Sequence, residues 1–523
     1  MKELYDRSPP SRGDDGYYHP ASEDDLVALV RLARSFGGQL RVRGAAHSVP
    51  AAIATDRGPR AAPDARHVDV MLDRYVRVTF DDERRQVTAQ AGCHLGHDPR
   101  DPTRTSRWEN SLLAQLDARA WALPDLGGVT HQTVAGFFAT GSSGGSVRHA
   151  LSDAVVAWRM IDGRGRARDV RRERDDDFDA HGCSLGLLGV ISTVTIQCVA
   201  RYDVVGREDI TGESASPPAL FGDGADGLEG FLRDAEYARL FWWPQEGVRR
   251  VVTWQARRMV EADYDARTGP PGALRPKEYS ALGDMVTDPR LRPVANLASQ
   301  AAAGIMYDGI AQASARLGSG APRGSLARRV GALVRPALTG TLLSAALREF
   351  VPLSPTQHFW DSWCHGLPMD NQISERWLPT EFTEIWLPLE RAGEAMRALR
   401  AHFDRGGYSA TGAFICEVYA ARRTAGWMHP GYGRDSVRID LFWFGRNAGD
   451  PTRGWFVQFW ELLRPFAYRL HWGKHLPADP ALGHAYLRQH TPRWDDFLSL
   501  RARLDPDDVF LTRYWRTALG IGA

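Results

Sequence analysis

Cysteine is scarce in this chain of 523 residues: five, at positions 93, 183, 198, 364 and 416, an odd number with irregular spacing and no CxxC pair. That excludes a disulfide framework and a thiolate zinc site, and Cys93 reads as a buried structural thiol. Long apolar runs are missing too. No stretch approaches the roughly 18 to 20 apolar residues that span a bilayer, and residues 1–20 are polar and acidic, without the apolar centre of a signal peptide. A cytoplasmic protein with no membrane association is the expectation. Net charge is nearly absent: 65 Lys and Arg against 64 Asp and Glu leave +1. No global field therefore draws in nucleic acid or an anionic membrane. The basic run between Arg164 and Arg174 alternates with acids and reads as a solvated face. Two nucleotide signatures are also lacking, a GxGxxG after the first strand and a GxxxxGK[ST] loop. A dinucleotide bound here needs another cradle.

What is present begins with length, which exceeds one core and predicts two or three domains. Residues 22–35 carry helical periodicity with Ser22 as N-cap, and Gly37-Gly38 ends the helix. Gln39–Arg43 alternates as a strand, and His67–Leu72 is another. Tyr75–Phe80 and Gln86–Ala91 predict a hairpin, as do Ala154–Ile161 and Ala167–Val170. Residues 112–119 suit a helix, and Val190–Val199 is the strongest β stretch. Residues 212–230, rich in Gly, Ser, Pro and Asp, read as a boundary loop. Further strands are expected at Leu240–Pro244, Val251–Trp254, Glu384–Leu387, Phe414–Tyr419 and Val437–Phe444, with helices near 325–349 and 389–404. Trp242, Trp243, Trp386 and Trp443 read as core aromatics. Residues 262–350 form an Ala-, Gly- and Arg-rich helical insertion, and Trp494–Pro506 holds an amphipathic helix. The fold class expected is α+β.

The chemistry lies in glycine turns. Arg41-Val-Arg-Gly-Ala-Ala-His-Ser48 closes a strand and presents a histidine. Two more clusters follow, Gly127 to Gly145 and Gly186 to Gly189, and then His471-Trp-Gly-Lys474 far downstream. Glycine lets backbone approach a ligand closely, and successive N–H groups form a nest for pyrophosphate oxygens. Singly, each is an ordinary turn glycine and His47 an ordinary surface or capping histidine. Glu417 lies in an apolar strand, where an unpaired carboxylate is costly. It is either salt-bridged or in a pocket, and Glu384 is similar.

Residues 41–48 resemble the phosphate-binding turn of the vanillyl-alcohol-oxidase-like (PCMH-type) FAD-binding superfamily. So does Ala122–Gly136 leading into Ala139–Gly145, and Ser184–Ser192 is similar to its later FAD contact segment. His471–Lys474 and the closing Trp494–Phe510 resemble the aldonolactone and alditol oxidase branch. The resemblance implies a PCMH-type FAD-binding domain over 1–205. A substrate (cap) domain with an antiparallel sheet would cover 206–465, and 466–523 would return to the flavin. It implies FAD linked covalently through an 8α-histidyl bond at His47. Arg43, Gly44, Ala45, Ala46 and Ser48 would hold the pyrophosphate end. Gly127, Thr133, Gly136, Thr140, Gly141, Ser142, Ser143 and Gly144 would line the middle, with Gly189, Val190 and Lys474 toward the ring. Lys474 there would be a cation favouring anionic reduced flavin. Two positions depart from the branch. Ser142-Ser143-Gly144 stands where Thr-His-Gly is usual, and Tyr419 stands where a Glu-x-Arg pair beginning at Glu417 would place arginine.

The function expected is oxidation of a CH–OH group, in a sugar lactone, polyol or related alcohol. Hydride passes to flavin N5, and O₂ is the acceptor giving H₂O₂. Lys474, His471 and Glu417 are candidate bases, and Tyr419 completes the catalytic set. The partners expected are a small-molecule alcohol and O₂, with no metal. Two alternatives stand beside it: a tailoring oxidoreductase of a natural-product or aminocyclitol pathway, and a flavin-fold binding protein without activity.

Overall fold

The computed structural model describes residues 9–271 except 63, 65 and 217, and 351–522 except 372–374, 412 and 448, with scattered positions between 300 and 348. The expected helices of the 262–350 insertion lie largely outside the described residues; Glu261–Ala266 at its entrance is helical.

The chain opens with helix Glu23–Ser35. Ser22 Oγ accepts the Asp25 N–H, and the Asp25 carboxylate accepts the Ser22 N–H in return, so two of the helix's unpaired donors are satisfied. Leu26, Leu29, Val30 and Ala33 are buried on one face, the stripe that a 3.6-residue period dictates. The strand Gln39–Arg43 follows and pairs in parallel with His67–Met71.

A five-stranded antiparallel sheet runs in the order Val78–Asp81, Gln86–Gln90, Val190–Gln197, Val155–Ile161, Ala167–Arg171. Both expected hairpins are in it, and the apolar run from Val190 is its central strand. The helix expected after residue 112 spans Leu112–Asp117.

The second sheet has eight antiparallel strands. Their order is Ser354–Ser362, Asp203–Gly212, Arg250–Arg258, Tyr237–Trp243, Ala413–Ala421, Ser436–Phe444, Thr380–Pro388, Arg469–Leu470. The five strands expected here are present. Asp203–Gly212 crosses the expected boundary at 205, and the supposed loop 212–230 already contains the start of helix Leu228–Asp234. Trp242, Trp243, Trp386 and Trp443 are buried, and all five cysteines are free and buried. The tail helix spans Trp494–Leu504. No described helix is long and apolar enough to cross a membrane.

Candidate active site

Two hollows meet at the turn 45–48. The first is a groove lined by Arg43, Gly44 and Ala45, by Thr133, Gly136 and Thr140, by Gly186, Gly189 and Val190, and by Phe510 and Trp515. The second is a cavity of about 870 Å³ between the turn and the eight-stranded sheet. Ala46, His47, Ser48, Gln132, His471 and Lys474 line both. The groove's wall depends on close backbone approach. Gly189 has φ +147, and a Cβ there would lie 2.6 Å from the Ile161 carbonyl. Ala46 holds a left-handed φ of +59 at the tip of the turn. Such a narrow, glycine-walled groove opening on a polar cavity fits an extended dinucleotide whose ring end reaches the junction.

The junction is knitted across 427 residues of sequence. Lys474 Nζ donates to the His47 carbonyl at 2.9 Å, and the Val49 N–H donates to the Gly473 carbonyl at 2.8 Å. Burial, with Lys474 and Arg100 beside it, pushes the His47 pKa down to about 2, so its imidazole is neutral. The His131 ring lies 5.5 Å from it. His471 is buried and neutral, its pKa lowered to about 4 chiefly by desolvation. Its Nδ1 accepts the Gly473 N–H at 3.1 Å, which leaves the proton on Nε2. That Nε2–H points to Ser142 Oγ at 3.4 Å, and Gln132 Nε2 donates to the same hydroxyl at 3.1 Å. Burial lowers the Lys474 pKa while Glu384 and Asp440 oppose the shift.

The cavity floor is a register effect. Glu384 pairs with Asp440 and Asp440 with Glu417 across three strands, so three carboxyls form one row on one face. Two residues along, Trp386, Arg438, Tyr419 and Arg239 form the next row. Arg438 stands 3.1 Å from Glu384, donates to the Ser143 carbonyl at 2.7 Å and lies over the Tyr419 ring. Tyr419 Oη donates to Glu417 at 2.5 Å and to Asp370 at 2.7 Å as alternatives, while Arg239 pairs with Asp370. Burial works against charge on Glu384, but Arg438 above all, with Lys474, outweighs it and holds its pKa below the ordinary value. Burial, reinforced by Asp370, drives Glu417 well above its ordinary value, and burial with Glu384 does the same to Asp440. Within the row the proton is therefore disfavoured on Glu384 and favoured on Glu417 and Asp440.

Most candidates come together at these hollows: His47, Ser48 and Lys474 at the junction, Gly127, Ser142 and Ser143 in the cavity, and Glu417 and Tyr419 on its floor. Glu417 is both paired and in the pocket, not one or the other. Gly141 and Gly144 line neither hollow, a correction to the expected set. Gly141 faces Pro430 and His429, and a Cβ on Gly144 would strike the Asp125 carboxylate; both serve packing. Arg438, Asp440, Asp370 and His131 were missed. Only strand register and folding bring them in, though an arginine and an acid at alternate positions in Ser436–Phe444, Arg438 and Asp440, were a usable signal.

Two family models match parts of the chain. Residues 371–518 match the D-arabinono-1,4-lactone oxidase family, and residues 15–97 match the FAD binding domain. Both matches point to similarity with the aldonolactone oxidase branch. Its relatives include an L-gulono-1,4-lactone dehydrogenase of Mycobacterium tuberculosis, 26% identical over 96% of this chain and 95% of that protein. The D-arabinono-1,4-lactone oxidase of Eremothecium gossypii is 29% identical over 48% of this chain and 42% of its own. The L-gulonolactone oxidase of Mus musculus is 31% identical over 44% and 45%. The chain thus spans under half the length of the last two. In three dimensions the chain resembles cholesterol oxidase of Brevibacterium sterolicum, with a TM-score of 0.62 and 16% identity over 96% of this chain and 93% of that one. The likeness shows a fold shared with that protein.

Proposed function

We propose that the protein is an FAD-dependent oxidoreductase. It oxidises a CH–OH group of a polar, hydroxylated small molecule such as a sugar lactone or polyol, with O₂ as acceptor and H₂O₂ as product. The observation that carries this reading is the shared wall: the glycine groove and the charged cavity meet at His47, His471 and Lys474. Residues up to about 205 hold the cofactor, 206–465 supply the cavity floor, and 466–523 return to the junction. FAD bound in the groove would supply the hydride acceptor and the reaction with O₂.

The chain's own groups would do the rest. Lys474 places a cation at the junction. His471 offers its Nε2–H as a donor. Burial and Asp370 favour the proton on Glu417, which makes it the poorer base. Glu384 is the ionised carboxylate of the row, and it accepts the substrate hydroxyl proton. Glu417, Asp440 and Tyr419 orient the remaining hydroxyls. The neutral His47 imidazole, on the wall of both hollows, would be the residue to hold the flavin covalently, with O₂ reoxidising the flavin that bond formation reduces.

Purified protein is expected to release H₂O₂ with L-gulono-1,4-lactone, D-arabinono-1,4-lactone or an alditol. Dye reduction without H₂O₂ would make it a dehydrogenase, and no turnover of any hydroxylated substrate by flavin-loaded protein would refute the reading. Flavin that stays with the polypeptide after acid precipitation, and is released from His47→Ala, would establish the tether. The cavity also favours a second reading. Its volume is near the upper end of ordinary ligand sites, and Phe241, Ile415, Phe382 and Phe442 line it. Those features suit a bulkier, part-apolar hydroxylated natural product.

A further inference from the structure

Arg41 carries a buried charge that meets the face of the Trp515 ring, 5.7 Å from its guanidinium carbon, but no carboxylate in direct contact among the described residues. It is only 5% exposed, and it lines the groove, not the cavity. Its guanidinium donates to four carbonyls: Gly186 at 3.0 Å and Phe510 at 3.2 Å from Nη1, and Ala52 at 2.6 Å and Leu185 at 3.0 Å from Nη2. The hydrogen bonds are thus mostly satisfied, yet no carboxylate forms an ion pair with it among the described residues. Asp69 reaches it only through space, and that carboxyl is engaged by the Thr55 N–H and hydroxyl at 2.8 Å each. Burial lowers the Arg41 pKa to about 10, so the group stays charged at neutral pH. A buried ion without a direct counter-charge is costly. A fold that keeps one beside a ligand groove is complementary to an anion there.

The four carbonyls come from three separate parts of the chain: the stretch after the histidine turn, the Leu185-Gly186 turn and the tail. The tail is further fixed by the Leu40 N–H to the Val509 carbonyl at 2.7 Å and by Trp515 Nε1 to the Ala52 carbonyl at 3.0 Å. Phe510 and Trp515 form one wall of the groove. We propose that Arg41 is the counter-charge for the pyrophosphate of the bound dinucleotide, acting from behind the groove wall that it clasps together. It is a positioning residue: its two Nη groups are spent on the wall, and its charge acts through space.

This rests on the FAD reading above, and the test separates the two. In a His47→Ala background, which keeps any flavin exchangeable, FAD and riboflavin are titrated by fluorescence quenching with and without Arg41→Met. Riboflavin lacks the pyrophosphate. The charge role predicts at least a ten-fold loss of FAD affinity with riboflavin affinity changed less than three-fold. Arg41→Lys keeps the charge and gives up the fork. It is expected to melt at lower temperature yet hold the FAD-to-riboflavin ratio within three-fold of the parent. Equal losses for both flavins, or no loss for FAD, would overturn the proposal. If the parent binds neither flavin, the FAD reading fails and the proposal fails with it.

Discussion

Glu384 and Glu417 are the same residue type on the same face of one sheet, and they differ only in neighbours. Arg438 and Lys474 hold the first ionised; burial and Asp370 favour the proton on the second. Glu384→Gln is therefore expected to slow flavin reduction by about 10²–10⁴-fold, read by anaerobic stopped flow. A rate within three-fold of wild type would remove Glu384 as the proton acceptor. Asp125 makes a separate prediction. Burial outweighs the nearby Leu126 and Gly144 N–H groups and raises its pKa from 3.8 to about 7. The folded state then binds a proton that the unfolded state releases, so this group's contribution to stability falls as pH rises from about 4 to about 7. Asp125→Asn should abolish that decline, by roughly 1.4 kcal/mol per pKa unit at most; thermal melts across the window measure it. Little of this was legible in the sequence. The motif glycines, His47 and Lys474 sit in short recognisable words. Arg438 opposite Tyr419 is a register fact, and whether Glu417 is charged depends on Asp370, 47 positions away.

At the scale of elements, amphipathic patterns carried the reading as far as they were clean. Glu23–Ser35 has an N-cap, an acidic first turn and one apolar stripe. Val190–Gln197 is nearly continuous in β-branched residues. Asp203–Gly212 was missed because Gly206, Glu208 and Asp209 interrupt its pattern. Ser354–Ser362 was missed because an edge strand tolerates Pro355, Gln357 and His358. The glycine segment 127–145 was read as cofactor cradle, yet part of it serves the joint with the second sheet. A Cβ on Gly128 would lie 2.0 Å from Asp370 and one on Gly145 2.5 Å from the Ala238 carbonyl. The Asp370 and Ala238 N–H groups bond the Gly128 and Gly145 carbonyls, each at 2.9 Å. Gly128→Ala is expected to destabilise the protein by about 1–3 kcal/mol and to lower turnover, because it pushes on the Asp370–Tyr419–Glu417 contacts. Unchanged melting and turnover would show that the joint is slack.

On the scale of the whole molecule, sequence-distant parts assemble one site. The N-terminal turn, the 133–140 and 186–190 segments and the tail wall the groove, and three strands of the larger sheet make the cavity floor. The order of the motifs along the chain was enough to expect the cofactor end. The substrate end was not, because it is written in pairings between strands rather than in any one of them. The central claim is that a flavin in this groove meets an oxidisable hydroxyl in this cavity. The most direct measurement is the visible spectrum of the purified protein, recorded without oxygen before and after L-gulono-1,4-lactone, and again in air. A yellow protein whose flavin bands bleach with the lactone and return in air with release of H₂O₂ is the expected result. A colourless protein that takes up no added FAD would contradict it.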